Sequence, residues 1–271
     1  MNILVFGANG MLGRYVCSRL SQEHSVTGLT RKELDLSSNF IAPALLPFLN
    51  NIDVTINCAG IIKSRSDVSS TEYTVVNRLF PVQLAIACKE QSVKMIHVTT
   101  DCVYDGYNNK PYVETDEHTA KDWYGSSKSF GEKHDGCTIR TSIVGEEIGQ
   151  KRSLIEWAKS QKGKTVYGYR NHYWNGVSCL QLAEVFSSII KDKLFWTGVR
   201  HVFSPNVVTK YELLKIISDV FNLELNIESA ETGRSQRYLA LGTLNLDWGE
   251  HLKSIPEIKE QLVKMRDFKL Q

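Results

Sequence analysis

The sequence predicts an α/β fold: a doubly wound parallel sheet, with a smaller mixed α/β substrate-binding region in its C-terminal half. Three observations carry this. A short apolar run at residues 2–6 leads straight into glycines. Five short apolar segments, this run included, alternate with helical patterns up to about residue 145. A G-x-x-G-x-x-G loop joins the first strand to the first helix.

The elements follow in order. Residues 2–6 are unbroken apolar sequence, as in a strand buried on both faces. Met11, Leu12, Tyr15, Val16 and Leu20 recur at helical spacing and predict a helix over 11–22. Residues 25–30 form the second strand. A weaker helix spans 38–50, interrupted by Pro43 and Pro47. Strands at 53–57, 93–99 and 138–143 alternate with helices at 71–90 and 124–134. Beyond 145 the rhythm loosens into helices at 154–161, 178–191 and 210–221, strands at 165–169 and 200–204, and a helical tail from Leu252. Aromatic-rich links such as 167–174 fall here. The division is a dinucleotide-binding domain over 1–145 and a substrate-binding region over 146–271 that partly returns to the sheet.

Composition narrows the function. The chain of 271 residues carries a net charge of +2, with no concentrated basic stripe, so nucleic acid is not an expected partner. No run of about 18 apolar residues marks a membrane span. The N-terminus lacks a basic leader, and the expected location is the cytoplasm. Six scattered cysteines and seven dispersed histidines show no ligand spacing, so no metal is expected.

Gly7-Ala8-Asn9-Gly10-Met11-Leu12-Gly13 has a specific physical reading. Gly7 permits a tight turn, Gly10 lets a pyrophosphate approach the backbone, and Gly13 allows close packing of helix on strand. The pyrophosphate meets the positive end of the helix. This is the Rossmann-type signature. The residue meeting the adenosine ribose lies about 20 positions on. There the chain reads Thr30-Arg31-Lys32, and two cations suit a 2′-phosphate, so NADP(H) is favoured over NAD(H). Glu33 and Asp35 keep NAD(H) open, and Asp35 and Leu36 are placed to flank the adenine.

Tyr124 and Lys128 stand four residues apart, on one helical face. A free phenol titrates near 10 and is a poor acid–base group at neutral pH; a neighbouring ammonium favours its ionised form. Such a phenol can pass a proton to or from a carbinol oxygen while a hydride moves. A hydroxyl opposite it binds the carbonyl oxygen, and the end of the fourth strand offers Thr100, with Thr99 as the alternative.

These segments, with Asn57-Cys58-Ala59-Gly60, Val76-Asn77 and Thr99-Thr100-Asp101-Cys102-Val103-Tyr104-Asp105-Gly106, resemble the extended short-chain dehydrogenase/reductases, and most nearly the dTDP-4-dehydrorhamnose reductase group. The resemblance covers residues 1–190 well and the remainder loosely. It implies Tyr124 as proton donor, Lys128 as its partner and Thr100 as the carbonyl-binding hydroxyl. Asn77 would assist a water relay, and Cys58, Ala59 and Gly60 would line the cofactor. It also implies a nucleotide-activated 4-keto-6-deoxy sugar as substrate and polysaccharide biosynthesis as setting. Homodimers are common in that superfamily. Lys63, Arg65, Asp101, Trp174, Asn175, Arg234 and Arg237 are candidates for the sugar nucleotide. The related 4,6-dehydratases follow the threonine with an Asp-Glu pair. Here Cys102 replaces that glutamate, which favours carbonyl reduction over dehydration. An epimerase, an epimerase-reductase and a non-catalytic cofactor-binding subunit are the alternatives.

Overall fold

The computed structural model describes residues 1–37, 42–63, 68–148, 152–233 and 235–270. In chain order its first half comprises β1 (Asn2–Phe6), α1 (Met11–Leu20), β2 (Ser25–Leu29), α2 (Ala42–Leu45), β3 (Val54–Asn57), α3 (Ser70–Glu72), α4 (Phe80–Glu90), β4 (Lys94–Thr100), α5 (Trp123–Gly131) and β5 (Cys137–Thr141). The second half adds β6 (Ile143–Val144), α6 (Leu154–Ser160), β7 (Thr165–Tyr169), β8 (His172–Trp174), β9 (Val177–Ser178), α7 (Cys179–Lys191), β10 (Gly198–His201), β11 (Val208–Thr209), α8 (Lys210–Phe221), β12 (Asn226–Ala230), β13 (Ser235–Arg237), α9 (Gly249–Leu252) and α10 (Ile258–Asp267).

Six parallel strands form the central sheet in the order β10-β5-β4-β3-β1-β2. The order reverses between β1 and β3, and ligands of such sheets bind outside the carboxyl ends of the strands at that reversal. β10 and α7 come late in the chain, yet β10 is the sheet's edge strand and α7 packs on α1.

The two faces of the sheet differ. Ile3, Val5, Val54, Ile56, Ile96, Val98 and Ile139 form one face and are buried with residues of α1 and α7. On the opposite face Leu4 and Phe6 of β1, with Leu29 of β2 and Met95 of β4, pack on Phe80 and Leu84 of α4. From β3 onward, strand register aligns Asn57 with His97 and Thr99 with Arg140. These buried polar side chains lie under α5.

The helix expected over 71–90 is broken. Residues 73–79 are π-helical between α3 and α4. The cause is Pro81: it lacks an N–H, and its ring would clash with the carbonyl four residues earlier, that of Asn77. The Asn77 carbonyl instead lies against Gly131 of α5, where a Cβ would come within 2.1 Å of it. The helix expected over 38–50 is reduced to α2 and a 3₁₀ turn (Leu46–Leu49), with 38–41 outside the described residues. The link at 167–174, expected to be irregular, contains β8. It is the middle strand of a small sheet with β11 and β13.

Candidate active site

The glycine loop is built as its spacing requires. Gly7 has φ +76°, and its N–H and that of Ala8 both donate to Leu29 O, closing the turn. A Cβ on Gly13 would lie 2.1 Å from Gly7 O. The first intrahelical bond of α1 runs from Arg14 N–H to Gly10 O at 3.2 Å, so the amides of Met11, Leu12 and Gly13 have no acceptor within the helix. Beside this end lies a cavity of about 240 Å³ bordered by Gly7, Arg31, Asp35, Leu36, Ala59 and Ile61. Arg31 pairs with Asp35 at 3.2 Å at its exposed rim. A glycine-floored slot, helix amides without an acceptor inside the helix and an arginine at the rim fit a dinucleotide.

A second cavity of about 670 Å³ continues from the first across Asn9, Gly10, Cys58 and Gly60 to Thr100, Tyr124 and Lys128. Met11 and Leu12 line it too. Tyr124 stands on α5, whose start is capped by Asp122 Oδ1 accepting Gly125 N–H at 2.9 Å. The other oxygen of Asp122 accepts the Lys63 ammonium at 2.9 Å, which ties the loop after β3 to that helix start. Lys63 is itself exposed to solvent.

Thr100 ends β4. Its hydroxyl accepts Cys102 N–H and donates to Asp101 Oδ1, each at 3.2 Å. The phenol of Tyr124 is pushed up by burial and by nearby Cys102 and Asp101; the facing Thr100 hydroxyl works the other way. Lys128 stands one helical turn further along α5. Its ammonium is buried, donates to Val98 O at 3.3 Å, and is brought down to about 8 by desolvation. A neutral phenol beside a lysine that readily gives up its proton suits proton donation. The Cys102 thiol is pushed up to about 12, chiefly by burial, and cannot act as the base that a glutamate supplies at this position.

Asn77 braces the same loop. Its Oδ1 accepts Ile61 N–H at 2.8 Å, and its Nδ2 donates to Ile61 O at 3.0 Å and to Ser127 Oγ at 3.2 Å. With its amide engaged on protein groups, its side chain acts on the position of the loop and α5.

The substrate candidates are scattered. Asp101 is 3% exposed and faces Arg237 and Lys210, with burial raising its carboxyl. Asn175 was expected to reach a sugar. Its amide instead bonds Leu239 in both directions at 2.9 Å, so it joins two segments of the second half. Trp174 is 4% exposed, sits in the main core and borders a small recess that it shares with Met11 and Lys210. Arg237 is occupied by Tyr104 O and Asp105 O. Arg65 and Arg234 lie outside the described residues. Sequence reasoning missed Lys210, whose ammonium sits 5.2 Å from the Trp174 ring centre. A lysine in the first turn of a helix opposes the helix dipole, and that was the available signal.

The RmlD substrate binding domain family model matches residues 1–237. The chain belongs to that family. It is a member of the dTDP-4-dehydrorhamnose reductase-like group of extended short-chain dehydrogenase/reductases. It is 31% identical over 243 residues to the probable low-salt glycan biosynthesis reductase of Haloferax volcanii, covering 81% of this chain and 80% of that one. It is 25% identical to the dTDP-4-keto-6-deoxy-D-glucose reductase of Streptomyces niveus, covering 79% and 76%. Among solved structures, the dTDP-4-dehydrorhamnose reductase of Bacillus anthracis, in complex with NADP, superposes with TM-score 0.81 at 20% identity and covers 98% of each chain. That likeness establishes the Rossmann-type fold.

Proposed function

We propose that this chain is an NADPH-dependent reductase of a nucleotide-activated 4-keto-6-deoxy sugar, with Tyr124 as the proton donor. The observation that carries the reading is the meeting of Thr100, Tyr124 and Lys128 in one cleft continuous with the glycine loop. Gly7 to Gly13 and the loop Cys58-Ala59-Gly60 would hold a nicotinamide dinucleotide, which would supply hydride chemistry for reduction at C4. Thr100 orients the keto oxygen, Tyr124 gives it a proton, and Lys128 restores that proton to the phenol. Arg31 favours the 2′-phosphate of NADPH. The likeness to the dTDP-4-keto-6-deoxy-D-glucose reductase of Streptomyces niveus supports a nucleotide-sugar substrate, and Cys102 in place of a carboxylate supports reduction over dehydration.

The test is oxidation of NADPH at 340 nm with a panel of dTDP-, UDP- and GDP-linked 4-keto-6-deoxy sugars, with NADH in parallel. Turnover with one donor, lost in Tyr124→Phe while NADPH still binds, is the expected result. Full activity in Tyr124→Phe would sink the mechanism.

A further inference from the structure

His97 lies on β4, fully buried, directly across from Asn57 of β3. The hydrogen bonds fix both side chains. Asn57 Oδ1 accepts Ala59 N–H at 3.1 Å, which leaves Asn57 Nδ2 as the atom 3.2 Å from His97 Nδ1. An amide nitrogen only donates, so His97 Nδ1 is the bare, accepting nitrogen and the ring proton sits on Nε2. Among the described residues Nε2 has no hydrogen-bond partner. The ring stands edge-on to His134 at 5.5 Å. Burial first, and then the nearby Lys128 and His134, hold His97 neutral.

The segment this pair controls is a shared wall. A Cβ on Gly7 would come within 2.8 Å of Ala59, so the glycine loop rests directly on it. One residue on, Gly60 lies against the Lys128 ammonium. With a proton on Nδ1, Asn57 Oδ1 would turn toward the ring and Nδ2 toward Ala59 N–H, donor facing donor.

We propose that His97 is a positioning residue for the dinucleotide: its Nδ1 lone pair orients the Asn57 amide, which holds Ala59 and Gly60 between the glycine loop and Lys128. The inference rests on the reading that this cleft takes a nicotinamide dinucleotide.

Two variants separate positioning from space-filling. Asparagine at 97 places a carbonyl oxygen near the position of Nδ1, whereas glutamine places its amide near Nε2. The experiment measures NADPH affinity by fluorescence titration, and hydrogen exchange of the Ala59 amide without ligand, for wild type, His97→Asn and His97→Gln. Melting temperatures confirm that each variant is folded. His97→Gln is expected to bind NADPH about tenfold more weakly and to exchange the Ala59 amide about tenfold faster. His97→Asn is expected to stay close to wild type in both. Equal losses in the two variants, or no loss in either, overturn the proposal. If wild type binds neither NADPH nor NADH, the cofactor reading falls, and the Ala59 exchange alone decides the role of His97.

Discussion

Lys128 packs on the backbone of Gly60: a Cβ added to that glycine would come within 2.8 Å of the ammonium nitrogen and 3.4 Å of Asn77 Oδ1. The absence of a side chain at 60 therefore sets where the ammonium can stand. Gly60→Ala meets the far end of a flexible side chain, which can move aside cheaply. The expected result is a kcat lowered about tenfold, as for a misplaced catalytic group, with the melting temperature within about 2 °C of wild type. Gly131→Ala meets the rigid carbonyl of Asn77 at 2.1 Å instead, and its expected loss is in stability. Initial rates and thermal melts on the two variants check the contrast. A Gly60→Ala enzyme with unchanged kcat refutes it.

Burial of Lys128 also makes a stability prediction with a definite sign. Its pKa is lowered from 10.5 to about 8 in the fold. Between those values the unfolded chain binds more protons, so stability rises with pH across that window; below it the whole burial penalty is present. That penalty is about 3 kcal/mol at 1.36 kcal/mol per pKa unit. Lys128→Met, which fills the same slot without charge, is expected to melt several degrees higher than wild type at pH 7. The gain should shrink by pH 10, and the variant should be inactive. A lower melting temperature at pH 7 would show that the ammonium is a net stabiliser.

How far the sequence revealed this site depends on the range of the interaction. The glycine loop was legible because steric demands on Gly7 and Gly13 are local and leave only one residue type. Tyr124 and Lys128 were legible because helical spacing makes them neighbours. The π segment at 73–79 was not read, although its cause, Pro81, was in view. A proline is allowed in a helix's first turn, and only the tertiary approach of Gly131 to the Asn77 carbonyl shows which arrangement wins. The contact that Asn175 makes was not legible for a different reason. Its partner, Leu239, is 64 residues away, and no local pattern distinguishes an amide that bridges segments from one that meets a ligand. The His97–Asn57 contact needed the parallel register of β3 and β4, which strand order alone does not supply.

Cofactor choice is predicted to turn on Arg31. Its guanidinium is exposed at the rim of the smaller cavity, held by Asp35 at 3.2 Å and Ser37 at 3.5 Å. A 2′-phosphate is a stronger partner for an arginine fork than these long contacts. Arg31→Ala is expected to weaken NADPH about tenfold and leave NADH nearly unchanged, since only the former carries that phosphate. Parallel titrations with both dinucleotides check it. An equal loss for the two would place Arg31 on a part of the cofactor they share.

Behind the site, Arg140 and Glu132 form a buried ion pair, with Nη2–Oε2 at 2.6 Å and Nε–Oε1 at 3.1 Å. Arg140 also donates to the Tyr104 hydroxyl at 2.6 Å and to His118 Nε2 and His201 Nε2 at 2.7 and 3.0 Å. Both imidazoles are therefore acceptors and neutral. Burial, then the adjacent Arg140, brings His201 down to about 3. Tyr104 follows the Thr100–Cys102 turn, so the cluster anchors the segment that leaves β4. Arg140→Met leaves the Glu132 carboxylate buried without its counter-charge, at an expected loss of 3–5 kcal/mol, or about 10 °C in melting temperature. The double variant Arg140→Met/Glu132→Leu removes both charges and is expected to recover most of that loss, because much of the single-variant penalty is the stranded carboxylate rather than the missing attraction. Urea melts of the two single variants and the double variant measure the coupling directly. If the double variant is no more stable than Arg140→Met, the dominant role of Arg140 is its contacts with Tyr104 and the two histidines, and Glu132 is incidental to them.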